Sequence, residues 1–431
     1  MCLALALLWV LTQVIYINAG AYTELVSDQG YYQYLAQQCA LHGTIYPDYS
    51  SYHAKYIFNP GWVNFIVLWI KVFGSARYLC YANVVFNVAI LILVWRLALA
   101  ISRSQKAAYL AAYMFMACPT FWSMTIHAFS EPLFIVLMLL SFLMVIQARR
   151  LRWLLVAGIV AALCNWVRPF GLALIVSAAF YLIYTSRSLR PIGVYMAGYA
   201  ATVLAIGCVT LANFPDFIFQ AKTGGYNLIH VCREDATGEY DYRNFEPGGY
   251  AYIEGMESDQ DIPVWWCINE TKYKAPGKYP YSYMDSVWSS RSIAWIKEHP
   301  ASYVSVFPDK LRAFTRYNDF LFSYRPDGDG SGWLPRIIDN PVFWTYNRCW
   351  MPGLKLLFLC CVLGMALYFW RSARGIYLML AMAALIVPPI LVYVTVRYNI
   401  VVLPYVFIAD ACLMAAVYRR FYRFAQKTKY Q

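Results

Sequence analysis

Residues 131–152, EPLFIVLMLLSFLMVIQARRLR, open on an acid, run almost wholly apolar, and close on Arg149, Arg150 and Arg152. About 20 such residues, rising about 1.5 Å each, cross the roughly 30 Å of a bilayer's hydrocarbon. The arginines mark the end that stays in the cytoplasm, where membrane proteins collect Lys and Arg. The pattern repeats along the chain. Apolar segments at about 1–20, 79–101, 107–126, 132–148, 151–167, 170–185, 192–212, 353–370, 375–396 and 400–418 can be threaded so that none of the 23 Asp and Glu residues falls on one side. That side receives Arg103 and Lys106, Arg149 to Arg152, Arg187 and Arg190, Arg371 and Arg374, and the tail from Arg419 to Lys429. The expected fold class is an all-α polytopic membrane protein of about ten spans, with both termini cytoplasmic.

Composition agrees. The 431 residues are 61% hydrophobic and 13% charged, with mean hydropathy +0.47, whereas soluble domains carry about 25% charged residues. The net charge of +12 lies in short clusters between apolar runs. It reads as topogenic charge, and no nucleic-acid partner is expected. Met1 to Ile17 lacks a basic leader and a convincing cleavage site, so it reads as a retained span. Cys39, Cys232, Cys267 and Cys349 fall on the far side, where a disulfide is chemically possible. Cys232–Cys267 is the cheapest pairing to expect, in one of the three complete pairings that four cysteines allow. No cysteine and histidine spacing resembles a zinc site.

Three regions follow: a transmembrane module at 1–212, a far-side loop and short-helix region at 213–350, and C-terminal helices with a basic tail at 351–431. Within the first, Phe129-Ser130-Glu131-Pro132 and Asn165-Trp166-Val167-Arg168-Pro169-Phe170-Gly171 read as sharp turns, because proline restricts itself and its predecessor. Residues 62–73 are too short to span alone and read as an interfacial helix, with Trp62 and Trp69 at the membrane surface. In the second, 222–285 read as ordered loops. Residues 286–322 then turn helical, divided by Pro300 and Pro308 into short surface helices. Residues 324–332 superficially resemble a calcium loop without its downstream spacing, so no metal is assigned there.

Several motifs stand in a telling order. Asp28 follows the first span and opens Asp28-Gln29-Gly30-Tyr31-Tyr32. Asn59-Pro60-Gly61 precedes the short helix and Phe73-Gly74 follows it. Then come Ser130-Glu131-Pro132 and Arg168-Pro169-Phe170-Gly171, later Trp295-Ile296-Lys297-Glu298-His299-Pro300, and last Arg397-Tyr398-Asn399. This set resembles the GT-C superfamily of membrane glycosyltransferases that use polyprenyl- or dolichyl-phosphate sugars. Within it, the likeness is to the protein O-mannosyltransferase and lipid A aminoarabinose transferase group. Ser130-Glu131 and Arg168-Pro169 also resemble bacterial relatives of the second mannosyltransferase of GPI assembly.

The resemblance implies a lipid-linked sugar phosphate donor, a glycan, lipid or protein acceptor, and inversion at the sugar carbon. It implies no structural metal, although some superfamily members use a divalent ion. Asp28 is then the candidate general base. A sugar phosphate already carries its leaving group, so one base suffices where hydrolysis of a neutral glycoside needs two carboxyls. Glu24 and Asp48 share its loop. Arg168 and Arg397, at far-side span ends, offer rigid forks for phosphate oxygens or serve as interfacial anchors. Lys55 is a further candidate for the phosphate. Glu131 orients an acceptor, pairs with Arg168 or caps the helix at Pro132. His53 and His127 are candidates for a polar pocket, in neutral hydrogen-bonding roles. Trp62, Trp69 and Trp295 are candidates for a lipid-tail groove. Asp410, inside the last apolar segment, is expected to make a buried polar contact with another helix.

The expected site is a bacterial inner membrane with chemistry on its periplasmic face. A transporter or flippase is the first alternative, which paired inverted repeats would favour. A non-catalytic membrane assembly protein is the second, favoured if Asp28 points away from any cavity.

Overall fold

The computed structural model describes residues 2–19, 28–46, 59–213, 217–241, 243–246, 248–253, 281–317 and 340–429. Among them the regular structure is helical, without strands. Helices α1 (Cys2–Asn18), α2 (Asp28–Leu41) and α3 (Pro60–Phe73) lead into α4 (Leu79–Ser102). Then follow α5 (Gln105–Ala117), α6 (Pro119–Ser123), α7 (Glu131–Gln147), α8 (Leu151–Val167), α9 (Gly171–Ser186) and α10 (Arg190–Leu211). The polar region contributes α11 (Gly224–Ile229), α12 (Tyr281–Glu298), α13 (Pro300–Ser305) and α14 (Phe307–Phe314). Helices α15 (Pro341–Leu367), α16 (Ala373–Leu391) and α17 (Leu403–Lys429) complete the chain.

Four helical segments among the described residues are long and apolar enough to cross a membrane: Ala76–Ser102, Arg190–Leu211, Pro341–Arg371 and Ala373–Leu391. Shorter apolar helices stand beside them, at Leu3–Asn18, Pro60–Phe73, Glu131–Gln147, Leu151–Val167 and Gly171–Ser186. The chain is an integral membrane protein.

The expected segments meet real helices with several differences, among them the last, where α17 runs from Leu403 to Lys429 against the expected 400–418. The stretch 107–126 is not one helix: Cys118 is extended (ψ 115°) ahead of Pro119, and a 3-10 turn at Met124–Ile126 follows α6, as proline's missing N–H and its effect on the preceding residue require. Helix α15 starts twelve residues before the expected 353, at Pro341, and carries Pro352 inside it. Helix α16 stops at Leu391, just past Pro388 and Pro389, rather than at 396. In the polar region α12, α13 and α14 are separated at His299 and Val306, one residue before Pro300 and two before Pro308.

Close packing holds the bundle. A Cβ on Gly158 would lie 2.0 Å from the Tyr195 carbonyl oxygen, and one on Gly198 2.1 Å from that of Leu155. Helices α8 and α10 therefore touch backbone to backbone, the contact that small residues permit between membrane helices. Helices α7, α9 and α16 meet through rings, Tyr377 stacking on Phe142 at 4.0 Å and on Tyr181 at 4.7 Å. Asp410 is 1% exposed on α17, and neither of its carboxylate oxygens has a hydrogen-bond partner. The expected interhelical polar contact is not made, because the residues around it on α17, Phe407 to Cys412, are buried in an apolar core.

The two ends of the bundle differ in chemistry. At one end Arg374 Nη1 donates to the Ala100 carbonyl (2.6 Å), Arg419 Nη2 to that of Ser102 (3.4 Å), and Lys106 lies over the Tyr418 ring. The other end gathers the starts of α2, α4 and α7 and the end of α8, through contacts given below. The polar region docks there too. Val394 N donates to Gly238 O (2.9 Å), Lys310 Nζ to Ile390 O (3.0 Å), and Asn399 Nδ2 to the carbonyls of Phe314 and Arg316 (2.8 Å each). Its own core is aromatic: His230 packs among Tyr226, Tyr240, Phe245 and Tyr393.

Candidate functional site

Four charged side chains meet at the end of the bundle where the polar region docks. Three come from helix ends and the fourth from a turn between helices. Asp28 is the first residue of α2, and Glu131 the first of α7. Acids are favoured at such positions by the helix dipole. Arg168 caps α8 in an extended conformation (φ −149°, ψ 142°), the geometry that Pro169 imposes on its predecessor. Arg397 sits in the 3-10 turn Val396–Val401 that joins α16 to α17.

They form an alternating chain. Arg397 Nη2 lies 3.0 Å from Asp28 Oδ2 and Arg397 Nε 2.8 Å from Glu131 Oε1. Arg168 Nη1 lies 2.8 Å from the same Glu131 oxygen and donates to Ser130 Oγ at 3.0 Å. The Arg397 guanidinium also covers the Phe129 ring, 4.5 Å from its centre, a favourable cation–π arrangement. Side-chain exposure falls from 26% at Asp28 and 20% at Arg397 to 7% at Arg168 and 1% at Glu131. A ligand can therefore reach the first two directly, while Glu131 is sealed behind them.

The electrostatics are those of a partly buried ion network. Burial alone would lower the affinity of Arg397 for its proton, but Glu131 and then Asp28 more than reverse this and drive its pKa upward. Hydrogen-bond alignment is incomplete. Arg397 Nε is not aligned on any acceptor despite its short distance to Glu131, and neither Glu131 oxygen nor Arg168 Nε has an aligned partner. The charges are paired while part of their hydrogen-bonding capacity is unspent.

A second set of polar residues holds this arrangement in place. Gln29 Oε1 accepts from Ala128 N (2.9 Å), and Trp62 Nε1 donates to Ala128 O (3.0 Å). Asn83 Nδ2 donates to the carbonyls of His127 (2.7 Å) and Thr125 (3.1 Å). Asn59 Nδ2 donates to the Tyr32 hydroxyl, and Trp166 Nε1 to Asn64 Oδ1 (3.2 Å). A Cβ on Gly61 would come within 2.7 Å of the Trp166 backbone, so the glycine of Asn59-Pro60-Gly61 lets α3 lie directly against the end of α8.

Of the residues expected from the sequence, the structure brings Asp28, Glu131, Arg168 and Arg397 together. His127 is buried and stacked on Phe129 at 5.2 Å. Trp62 is fully buried, a correction to its expected place at the membrane surface: its indole N–H is used inside the protein. Trp295 is buried and stacked on His299 (5.0 Å). Cys232 is a buried free thiol, its Sγ against the Leu228 carbonyl (3.4 Å), and burial pushes its pKa up to about 11. Glu24, Asp48, His53, Lys55, Cys267 and the 324–332 loop lie outside the described residues. Gln29, Phe129 and Asn399 stand in the quoted motifs but carried no assigned role, and Asn83 was not singled out. The signal for Asn83 was available, since an amide within the apolar run of α4 must find a partner or face a cavity.

No group of three or more His, Cys, Asp or Glu residues suited to a metal ion stands among the described residues. No protein-family model and no curated protein matches this chain. Among solved structures it is similar to ArnT from Cupriavidus metallidurans bound to undecaprenyl phosphate, at 12% identity over 95% of this chain and 78% of that one, with a TM-score of 0.40. It is also similar to the apo state of the same protein, at 12% identity over 95% and 77% of the two chains, with a TM-score of 0.37.

Proposed function

We propose that this protein is a membrane glycosyltransferase that moves a monosaccharide from a polyprenyl-phosphate-linked donor to a glycan, lipid or protein acceptor. The observation that carries the reading is the meeting of Asp28, Arg397 and Arg168, Arg397 lying 3.0 Å from Asp28 and both arginines 2.8 Å from Glu131. Two guanidinium forks beside one accessible carboxylate are what such a transfer requires. The forks bind the phosphate and stabilise the charge it gains as the sugar–phosphate bond breaks. The carboxylate takes the acceptor's proton as its oxygen attacks the sugar carbon from the opposite face, inverting it. Lys55 is assigned to the same phosphate.

The basic end of the bundle is assigned to the cytoplasm and the site end to the periplasmic face of a bacterial inner membrane, in keeping with the positive-inside rule. The polar region over the site is assigned to acceptor recognition. The test is to incubate the purified protein with defined undecaprenyl-phosphate monosaccharides and a panel of glycan, lipid and peptide acceptors. Sugar transfer with release of undecaprenyl phosphate is expected. Failure to bind any polyprenyl phosphate, together with no transfer across the panel, would contradict the reading.

A further inference from the structure

Glu131 is the most deeply buried of the four charges, at 1% exposure, and one of its oxygens, Oε1, lies 2.8 Å from both arginines while Oε2 has no partner. Such a carboxylate has no path to an acceptor. It does have control over both guanidiniums at once. We infer that Glu131 is a positioning residue that fixes the spacing of Arg168 and Arg397 and tempers their charge, so that a phosphate head group is held in place yet released after reaction. This rests on the reading of the site as a polyprenyl-phosphate site.

The charge count makes the point. The two carboxylates and two guanidiniums balance, so these four groups are together neutral. A phosphate that takes Arg397 from Asp28 leaves the two arginines shared between Glu131 and the newcomer. In the transfer, the phosphate oxygen keeps the electron pair of the broken sugar bond and the acceptor proton passes to Asp28. The departing polyprenyl phosphate therefore carries more negative charge than it had as a diester. Without Glu131, the arginines would hold that product too strongly.

Two substitutions separate charge from geometry. Glu131→Gln removes the charge at nearly constant shape, and should tighten undecaprenyl phosphate binding about ten-fold, the order expected for one nearby charge. Glu131→Asp keeps the charge on a shorter arm that no longer reaches both arginines, and should weaken binding several-fold. A purely structural glutamate would not produce opposite signs. Binding is measured on the full-length protein in nanodiscs, with undecaprenyl phosphate and uncharged undecaprenol side by side, and neither variant should alter undecaprenol binding. Equal or weaker phosphate binding by E131Q, while the wild type still prefers the phosphate, overturns the role of Glu131 and leaves the proposed function standing. No wild-type preference for phosphate over alcohol overturns both. Should E131Q fail to fold, E131D decides: selective weakening towards the phosphate supports the inference, and unchanged phosphate binding overturns it.

Discussion

Arg397 and Asp28, 369 positions apart in the sequence, are joined by an ion pair of 3.0 Å. The pair closes the two halves of the chain on each other, since Asp28 opens α2 and Arg397 sits just ahead of the last helix. The accessible carboxylate is engaged by an arginine. A phosphate that draws Arg397 away would free Asp28 for the acceptor, which favours donor binding before acceptor binding.

Arg397→Ala should weaken undecaprenyl phosphate binding about 10–100-fold, the loss of a charge-assisted pair. Arg397→Lys should recover only part of this, because an ammonium lacks the planar fork and the stacking on Phe129. Titration in nanodiscs measures both. Equal affinity of R397K and wild type would argue for a simple point charge.

Asn399 is 1% exposed and its amide donates to the carbonyls of Phe314 and Arg316 at 2.8 Å each. It fastens the polar region to the turn that carries Arg397. Asn399→Ala leaves two carbonyls without that donor and should cost about 2–4 kcal/mol, read as a lower Tm in detergent. Phosphate affinity should fall with it. An unchanged Tm would show that the amide contributes no net stability.

Gly158→Val tests the α8–α10 contact. With only 2.0 Å between a Cβ and the Tyr195 carbonyl oxygen, the helices must separate, at about 3 kcal/mol. The yield of monodisperse protein should drop sharply, while Gly193→Ala on the partner helix α10, where a Cβ meets nothing within 4 Å, should be tolerated. Similar yields for the two variants would contradict the packing.

His230 gives the polar region a pH dependence. Burial pulls its pKa down from 6.5 to about 4, so between these values the unfolded chain binds more protons than the folded one. Stability is then full above about pH 6.5 and declines as the pH falls towards 4, by about 3 kcal/mol in all. Thermal unfolding across pH 4–7 should show the decline, and His230→Phe should flatten that part of it. An identical pH profile in the variant would assign the decline to other groups.

Much of this was legible in the sequence because charge and proline act locally. The acid at the head of 131–152 opens α7 and Arg149 and Arg150 lie just past its other end, and Arg168 is extended because Pro169 follows it. The pairing of Glu131 with Arg168 could be anticipated, since one short helical hairpin separates them. The junction of Arg397 with Glu131 and Asp28 could not, because it depends on how α16 and α17 return across the bundle. Pro119, Pro352 and the Pro388–Pro389 pair show the limit of the local reading. Proline breaks the helix at the first, lies inside α15 at the second, and stands near the end of α16 at the third. Trp62 misled for a similar reason: an aromatic on a short amphipathic helix fits an interface, but here its indole answers a buried carbonyl.

The central claim is that Asp28 is the base for sugar transfer, and the most direct test is the transfer rate of Asp28→Asn on an undecaprenyl-phosphate-linked sugar that the wild type uses. The amide preserves size and can still face Arg397, so folding and undecaprenyl phosphate binding should stay within a few-fold of wild type. Transfer should fall by about 100-fold or more, the contribution of a positioned base. A folded D28N protein that binds the donor and transfers sugar at the wild-type rate would contradict the claim.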